Sequence, residues 1–272
     1  MKDLKNKYNR DGFVIVENFL SAEEVQQILK QFDRLIFQKL NQKKLRVTPD
    51  LFENLKIQFS ENLDDYLASL RSFSRIEALN RILNNEKVYE YARQIGIEFP
   101  TVPTSPVVHL ISDSLKIPGG YFGQGVHQDW TSMQGSLNSL GVWIALTDVS
   151  ENCFPVEVIP KSHLGGIAEG EVKADYFEIN PKCYREEDFV PVKMKKGTAM
   201  FFSSFLIHRT GLNNMKGFRV GVSYRFDDGA EETFVKRGYP TVYKRTVERK
   251  LLETGFPKNE QVLEQFMEKE NT

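Results

Sequence analysis

From Pro100 onward the chain breaks into short stretches rich in valine, isoleucine, phenylalanine and threonine, separated by Gly, Pro and Asn clusters. The spacing predicts strands at Val107–Ser112, Ser139–Thr147, Val156–Ile159, Val190–Met194, Thr198–Ser203 and Phe218–Phe226. A parallel pair needs a crossover of a dozen or more residues, usually a helix, and most of these gaps leave no room for one. A doubly wound parallel sheet is therefore disfavoured, and a mainly β, double-sheet jelly roll is expected.

The preceding third reads mainly as helix. Gly12 to Val16 is a short apolar run expected as a leading strand. Ser21-Ala22-Glu23-Glu24 spells a capping box, and Val25, Ile28, Leu29, Phe32, Leu35 and Ile36 follow on one helical face. A second helical region is expected over about 60–83 and a third over about 86–95, with Gly96 as its C-cap. We expect one domain over 1–272: a helical part at about 20–96, a β core at about 105–226 and a helical tail at about 244–272, with Asn259 to Lys269 as a surface helix.

Composition narrows the function classes. Lys and Arg number 36 against 37 Asp and Glu, so no charge excess points to nucleic acid or an anionic membrane. No apolar run reaches about 18 residues and the start is charged, so neither a membrane span nor a secretory signal is expected. Two cysteines, Cys153 and Cys183, fit a reducing compartment, with the cytoplasm as the default.

The chemistry gathers on the histidines, of which there are four. His127-Gln128-Asp129 follows a glycine-rich loop at 119–125, and in extended backbone residues two apart share a side. One imidazole and one carboxylate could then meet a cation, with His208, at the end of an apolar run, as third ligand. Two imidazoles and a carboxylate on one face of an octahedron leave open positions, the arrangement of Fe(II) oxygenases, where a keto acid and O2 can bind. The tripeptide alone reads more readily as a core histidine beside a turn aspartate. Arg219 adds weight. It follows His208 across a turn rich in Gly and Asn, and a hairpin there would bring its guanidinium alongside to clamp a carboxylate.

These residues resemble the motif of the phytanoyl-CoA dioxygenase family: His127-Gln128-Asp129, His208, and an arginine eleven positions later at 219. Glu157-Val158-Ile159-Pro160-Lys161-Ser162-His163 and Asp11 to Glu24 are similar to two further stretches of that family, so the resemblance covers about 10–226. It implies a double-stranded β-helix of cupin-like type. It also implies Fe(II), 2-oxoglutarate as co-substrate and O2, with 2-oxoglutarate decarboxylated to succinate and CO2 while a substrate C–H bond is hydroxylated. The resemblance also places Gln128, Trp143 and Thr210 around the keto acid, and His109 on a co-substrate-lining strand, although His109 reads as readily as an ordinary strand histidine. Lys161 stands where the family usually has glycine, and Phe154-Pro155 replaces a small or glycine-containing segment. Because halogenating members lack the acidic ligand, Asp129 argues for oxygen insertion or a related oxidation. His163, in the turn, is expected to fix that turn rather than bind metal.

The substrate is expected to be a small polar molecule. In a fold of this type the loops flanking the His-x-Asp pair overhang the pocket, nominating Tyr121, Gln124, Trp130 and Gln134 as substrate contacts. Arg225 shares the strand parity of Arg219, so it would meet an anionic group or close a strand-end salt bridge. Two rival classes remain open: a non-oxidative cupin-type isomerase or hydrolase, which would have no use for Arg219, and a non-catalytic small-molecule binding protein, which would be expected to lack a ligand. Nothing in the sequence sets the oligomeric state.

Overall fold

Ser21 begins α2 (Ala22–Gln42) as the capping box predicts: its hydroxyl accepts from Glu24 N at 3.1 Å, and the Glu24 carboxylate accepts from Ser21 N at 2.7 Å. Such a reciprocal pair is worth about 1 kcal/mol. The computed structural model describes residues 2–117, 122–173, 176–212 and 215–240. The tail expected at 244–272 lies outside the described residues. Ahead of α2, α1 (Lys2–Asp11) precedes β1 (Phe13–Val16). Its dense charge hides it in the sequence, since only Leu4 and Tyr8 reach the core.

The helix expected over 60–83 is two helices, α4 (Leu63–Phe73) and α5 (Glu77–Leu83), and an unexpected α3 (Leu51–Glu61) precedes them. Asn62 is the reason for the first break. Its backbone is extended, and its side chain accepts from Asp65 N at 2.9 Å, ending one helix and capping the next. Helix α6 (Glu86–Ile95) ends at Gly96, whose φ of 127° a β-carbon would resist.

The strands are β2 (Pro100–Thr101), β3 (Val107–Ser112), β4 (Leu140–Ala145), β5 (Val156–Val158), β6 (Gly170–Val172), β7 (Phe177–Ile179), β8 (Val190–Val192), β9 (Ala199–Ser203), β10 (His208–Thr210) and β11 (Phe218–Asp228), with α7 (Asp129–Met133) and α8 (Glu232–Lys236) between and after them. A six-stranded sheet runs β1-β9-β4-β11-β2, with β3 also on β11, and faces a three-stranded sheet β10-β5-β8. Every pairing among the described residues is antiparallel. The expected double-sheet jelly roll with N-terminal helices is what the chain forms. The small β6–β7 hairpin was not expected; its strands are too short and too polar to show a two-residue period.

Strand parity divides the large sheet into two faces. Val142, Ile144, Phe201, Val220 and Val222 point outward, where α2 buries Val25, Ile28, Phe32 and Ile36 against them in one core. Each such side chain contributes about 1.5–3 kcal/mol on burial. Trp143, Ala145, Met200 and Phe202 point inward and pack on Val156, Val158 and Val192 of the small sheet. The same inward parity on β11 carries Arg219, Gly221, Ser223 and Arg225, so the polar residues of that strand lie between the two sheets.

Candidate metal centre

His127 and His208 meet through backbone pairing. Each donates its N–H to the other's carbonyl at 3.0 Å, an isolated antiparallel bridge that sets the two rings 4.1 Å apart. Asp129 does not lie on a strand with His127, as extended backbone would require. The strand conformation stops at Gln128 (φ −118°, ψ 136°), and Asp129 opens α7. Its carboxylate still reaches the two imidazoles, with one ligand atom from each residue lying within 4.8 Å of the others. All three residues are buried.

The donor chemistry suits a cation. His127 Nδ1 lies 2.8 Å from Gly125 O and His208 Nδ1 lies 2.9 Å from Leu206 O. A carbonyl only accepts, so a neutral ring must carry its hydrogen on Nδ1 and leave Nε2 as a bare lone pair. Both rings are held neutral. Burial, followed by the neighbouring His208, pushes His127 down to about 3, and burial lowers His208 as well. Nε2 of His127 is buried without a hydrogen-bond partner among the described residues. Burial alone would raise Asp129, but the Arg225 guanidinium outweighs it and keeps the carboxylate ionised. An orphaned imidazole nitrogen beside an anionic oxygen, with Nε2 of His127 3.8 Å from Asp129 Oδ1, is a set of donors that fits a divalent metal.

Arg219 is 3% exposed, on the inward face of β11. It does not reach His208 by a hairpin, because β10 belongs to the small sheet and β11 to the large one. The chain crosses from one sheet to the other between them, and both side chains line one cavity from opposite walls. The guanidinium sits 5.2 Å from the centre of the Trp143 ring, and NH1 donates to Phe154 O. A β-carbon at Gly221 would collide with that ring, so the glycine is what lets Trp143 lie flat over β11 beside Arg219. His109, Trp143, Thr210 and Gln124 line the same cavity. Thr210 Oγ1 accepts from Gln124 N at 3.2 Å, and Thr210 N donates to Gln124 O at 2.9 Å. The cavity encloses about 30 Å³, room for about two waters.

Other expected contacts lie elsewhere. Gln128 points away from the cavity, its amide donating to Gly166 O and Phe205 O and accepting from Ala168 N. Adjacent residues on extended backbone face opposite ways, so a residue beside His127 could not share its side. Trp130 stacks on Phe205 at 5.3 Å and donates to Ser136 O, serving as packing at the end of α7. Gln134 is an exposed left-handed cap of the same helix. Arg225 forms an ion pair, with Nε and NH2 on the two oxygens of Asp129 at 3.1 and 3.0 Å. Tyr121 lies outside the described residues. His163 lies 3.1 Å from Asn9 O through Nε2 and so ties its turn to α1. Lys161 and Phe154, the two departures from the family pattern, hold φ of 68° and 47°, the left-handed region that glycine occupies without strain.

Sequence reasoning missed Ser223 and Arg209 on the cavity wall, and Tyr176, whose ring meets His127 edge-on at 5.8 Å. For Ser223 the signal was available in the parity of β11; for Tyr176 it was not, because its hairpin is set by tertiary contacts.

Comparison with known proteins agrees with this architecture. The model of the family described as phytanoyl-CoA dioxygenase (PhyH) matches residues 8–221. The peroxisomal phytanoyl-CoA dioxygenase of Mus musculus is 23% identical over 229 residues, covering 80% of this chain and 66% of that protein, so the chain spans just under two thirds of its length. Phytanoyl-CoA dioxygenase domain-containing protein 1 of Bos taurus is 25% identical over 268 residues, 82% of this chain and 89% of that protein. Among solved structures, the epimerase SnoN in complex with Fe3+, alpha ketoglutarate and nogalamycin RO superposes with a TM-score of 0.56 at 19% identity, covering 84% of this chain and 83% of its own. EctD from S. alaskensis in its apoform gives 0.57 at 15%, covering 85% and 78%. At such identities the likeness to the solved structures is one of fold.

Proposed function

The chain belongs to the phytanoyl-CoA dioxygenase family, and from that premise we propose that it is an Fe(II)- and 2-oxoglutarate-dependent dioxygenase that hydroxylates a small polar molecule. The observation that carries the reading is the meeting of His127, Asp129 and His208 within 4.8 Å beside a cavity that Arg219 also lines. In this reading His127, Asp129 and His208 would hold the iron. Iron held there would supply the oxidising chemistry, in which O2 gives one oxygen atom to succinate, as 2-oxoglutarate loses CO2, and the other to a substrate C–H bond. Arg219 clamps the distal carboxylate of the co-substrate, and its guanidinium is suited to two-point contact. Trp143 supports the guanidinium from one side, while Thr210 and His109 offer polar groups to the same ligand. A five-carbon dicarboxylate exceeds the space enclosed here, so lining side chains must shift as it displaces water.

With Trp130, Gln134 and Arg225 engaged elsewhere, Gln124 and Arg209 on the cavity wall become the candidates that favour a polar substrate. The Arg209 guanidinium is already held by Glu157 and Glu186, each at 2.7 Å. None of the described helices is long and apolar enough to cross a membrane. Each cysteine is free, with Cys153 Sγ on Phe218 O and Cys183 Sγ on Glu169 O, which supports our placing the protein in a reducing compartment.

The test is direct. Anaerobic addition of Fe(II) and 2-oxoglutarate should give a visible charge-transfer band that His208→Ala abolishes, and succinate should accumulate in air. Absence of the band and of succinate from folded wild-type protein would leave only the family's fold, without its chemistry.

A further inference from the structure

The inward face of β11 holds a hydrogen-bonded row whose direction can be worked out atom by atom. Arg225 grips both oxygens of Asp129 and, through NH1, also donates to Ser223 Oγ at 2.9 Å. Ser223 Oγ in turn lies 2.8 Å from His109 Nε2 on β3. The strand register makes this contact: His109 sits opposite Gly221, and Ser223 is two residues along, a diagonal neighbour on the same face.

A guanidinium has no lone pair to offer, so Ser223 Oγ must be the acceptor from Arg225. Its own hydrogen then needs an acceptor, and His109 Nε2 is the one in reach. The opposite arrangement, with Nε2–H donating to the hydroxyl, would leave the Ser223 hydrogen without an acceptor among the described residues in a side chain only 2% exposed. Buried donors are rarely left that way. An accepting Nε2 requires a neutral ring. His109 is one, since burial and then the nearby charges of Arg219 and Arg225 push it down to about 3. A neutral imidazole that accepts at Nε2 must carry its hydrogen at Nδ1.

We propose that Ser223, oriented by Arg225, is a positioning residue that locks His109 in its Nδ1–H form and so makes it an uncharged hydrogen-bond donor to the oxo acid that Arg219 clamps in the same cavity. The part concerning the oxo acid rests on the function proposed above; the tautomer does not. The arrangement gives the co-substrate a fixed donor without adding a third positive charge beside the two arginines.

The test has two arms, both on the full chain. In the first, ring nitrogens of metal-free, histidine-labelled protein are read by long-range 1H–15N correlation at neutral pH, with His109 assigned by its loss in His109→Asn. The expected pattern is protonated Nδ1 and bare Nε2, kept in Ser223→Thr and lost or mixed in Ser223→Ala. An Nε2–H pattern for His109 in the wild type overturns the lock, and needs no variant to fold. In the second arm, 2-oxoglutarate is titrated anaerobically with Fe(II) present. An Asn amide overlays Nδ1 and a Gln amide overlays Nε2, so His109→Asn should bind nearly as wild type while His109→Gln weakens binding about 10-fold or more. Equal affinity of the two variants overturns the donor role. If the ring shows Nδ1–H but the wild type binds no 2-oxoglutarate, the co-substrate reading falls and the Ser223 lock stands.

Discussion

Removing the guanidinium of Arg219 should weaken 2-oxoglutarate far more than metal. The side chain is nearly fully buried, backed by Trp143, and is on the opposite wall of the cavity from His208. A hydrogen bond to a charged group contributes about 1.5–3 kcal/mol, so losing one weakens binding about 10- to 150-fold, and losing a two-point clamp carries the effect to the upper end of that range or beyond. Arg219→Ala also strips Phe154 O of its donor, a further destabilisation of about 1–3 kcal/mol in the folded chain. That corresponds to a fall in Tm of several degrees at this chain length. Binding must therefore be measured well below the new Tm, by anaerobic titration of Fe(II) first and 2-oxoglutarate second. Arg219→Lys, which keeps the charge but not the planar fork, should fall between wild type and alanine. A folded Arg219→Ala that binds 2-oxoglutarate as wild type does would refute the assignment of Arg219. Equal loss of metal and 2-oxoglutarate would show instead that the arginine only holds the site together.

Other expectations follow from single positions. Gly221→Ala drives a β-carbon into the Trp143 ring and should cost about 1–3 kcal/mol in denaturation while raising the 2-oxoglutarate requirement; an unchanged requirement would show that Trp143 does not seat Arg219. Lys161→Gly relieves a left-handed backbone and should raise stability by about 0.5–1 kcal/mol, checked by thermal denaturation. Asp227 is raised by burial to about 6, so its stabilising share is present below about 4 and is lost as pH rises through 6. Asp227→Asn, which keeps an acceptor for Ser136 N, should therefore gain stability on wild type by about 1–3 kcal/mol at pH 8, about half of that near pH 5 and little below pH 4; a difference independent of pH would contradict the raised value.

The parts of this molecule legible in sequence are those governed by local rules. Strand period placed Arg219 and Arg225 on one face of β11, and the capping box placed the start of α2. The His-x-Asp pair and His208 were legible as residue types that suit one ion. What stayed hidden depends on partners distant in the chain. Gly and Asn between His208 and Arg219 announce a reversal, but only tertiary pairing decides that β10 joins β5 while β11 joins β4. Asp129 could not be seen to open a helix, because a single helical turn has no period to read. Strand parity alone leaves Arg225 open as a substrate contact or a salt bridge; its choice of Asp129 rests on how α7 enters the cavity.

The polar interior itself argues for function over stability. Arg219 and Asp129 are each less than 5% exposed, beside inward residues such as Trp143, Met200, Phe202 and Val156 that are apolar. Desolvating such charges costs several kcal/mol apiece, and pairing Asp129 with Arg225 offsets that cost without turning it into a gain over a well-packed apolar core. Removing either partner alone would strand the other, which makes the pair sensitive to single changes. A chain selected only to fold would fill this space with the valine and phenylalanine that line the rest of it. The charges persist where a cation and an anion would complete them: the carboxylate and two bare imidazole nitrogens on one wall, the Arg219 guanidinium on the other.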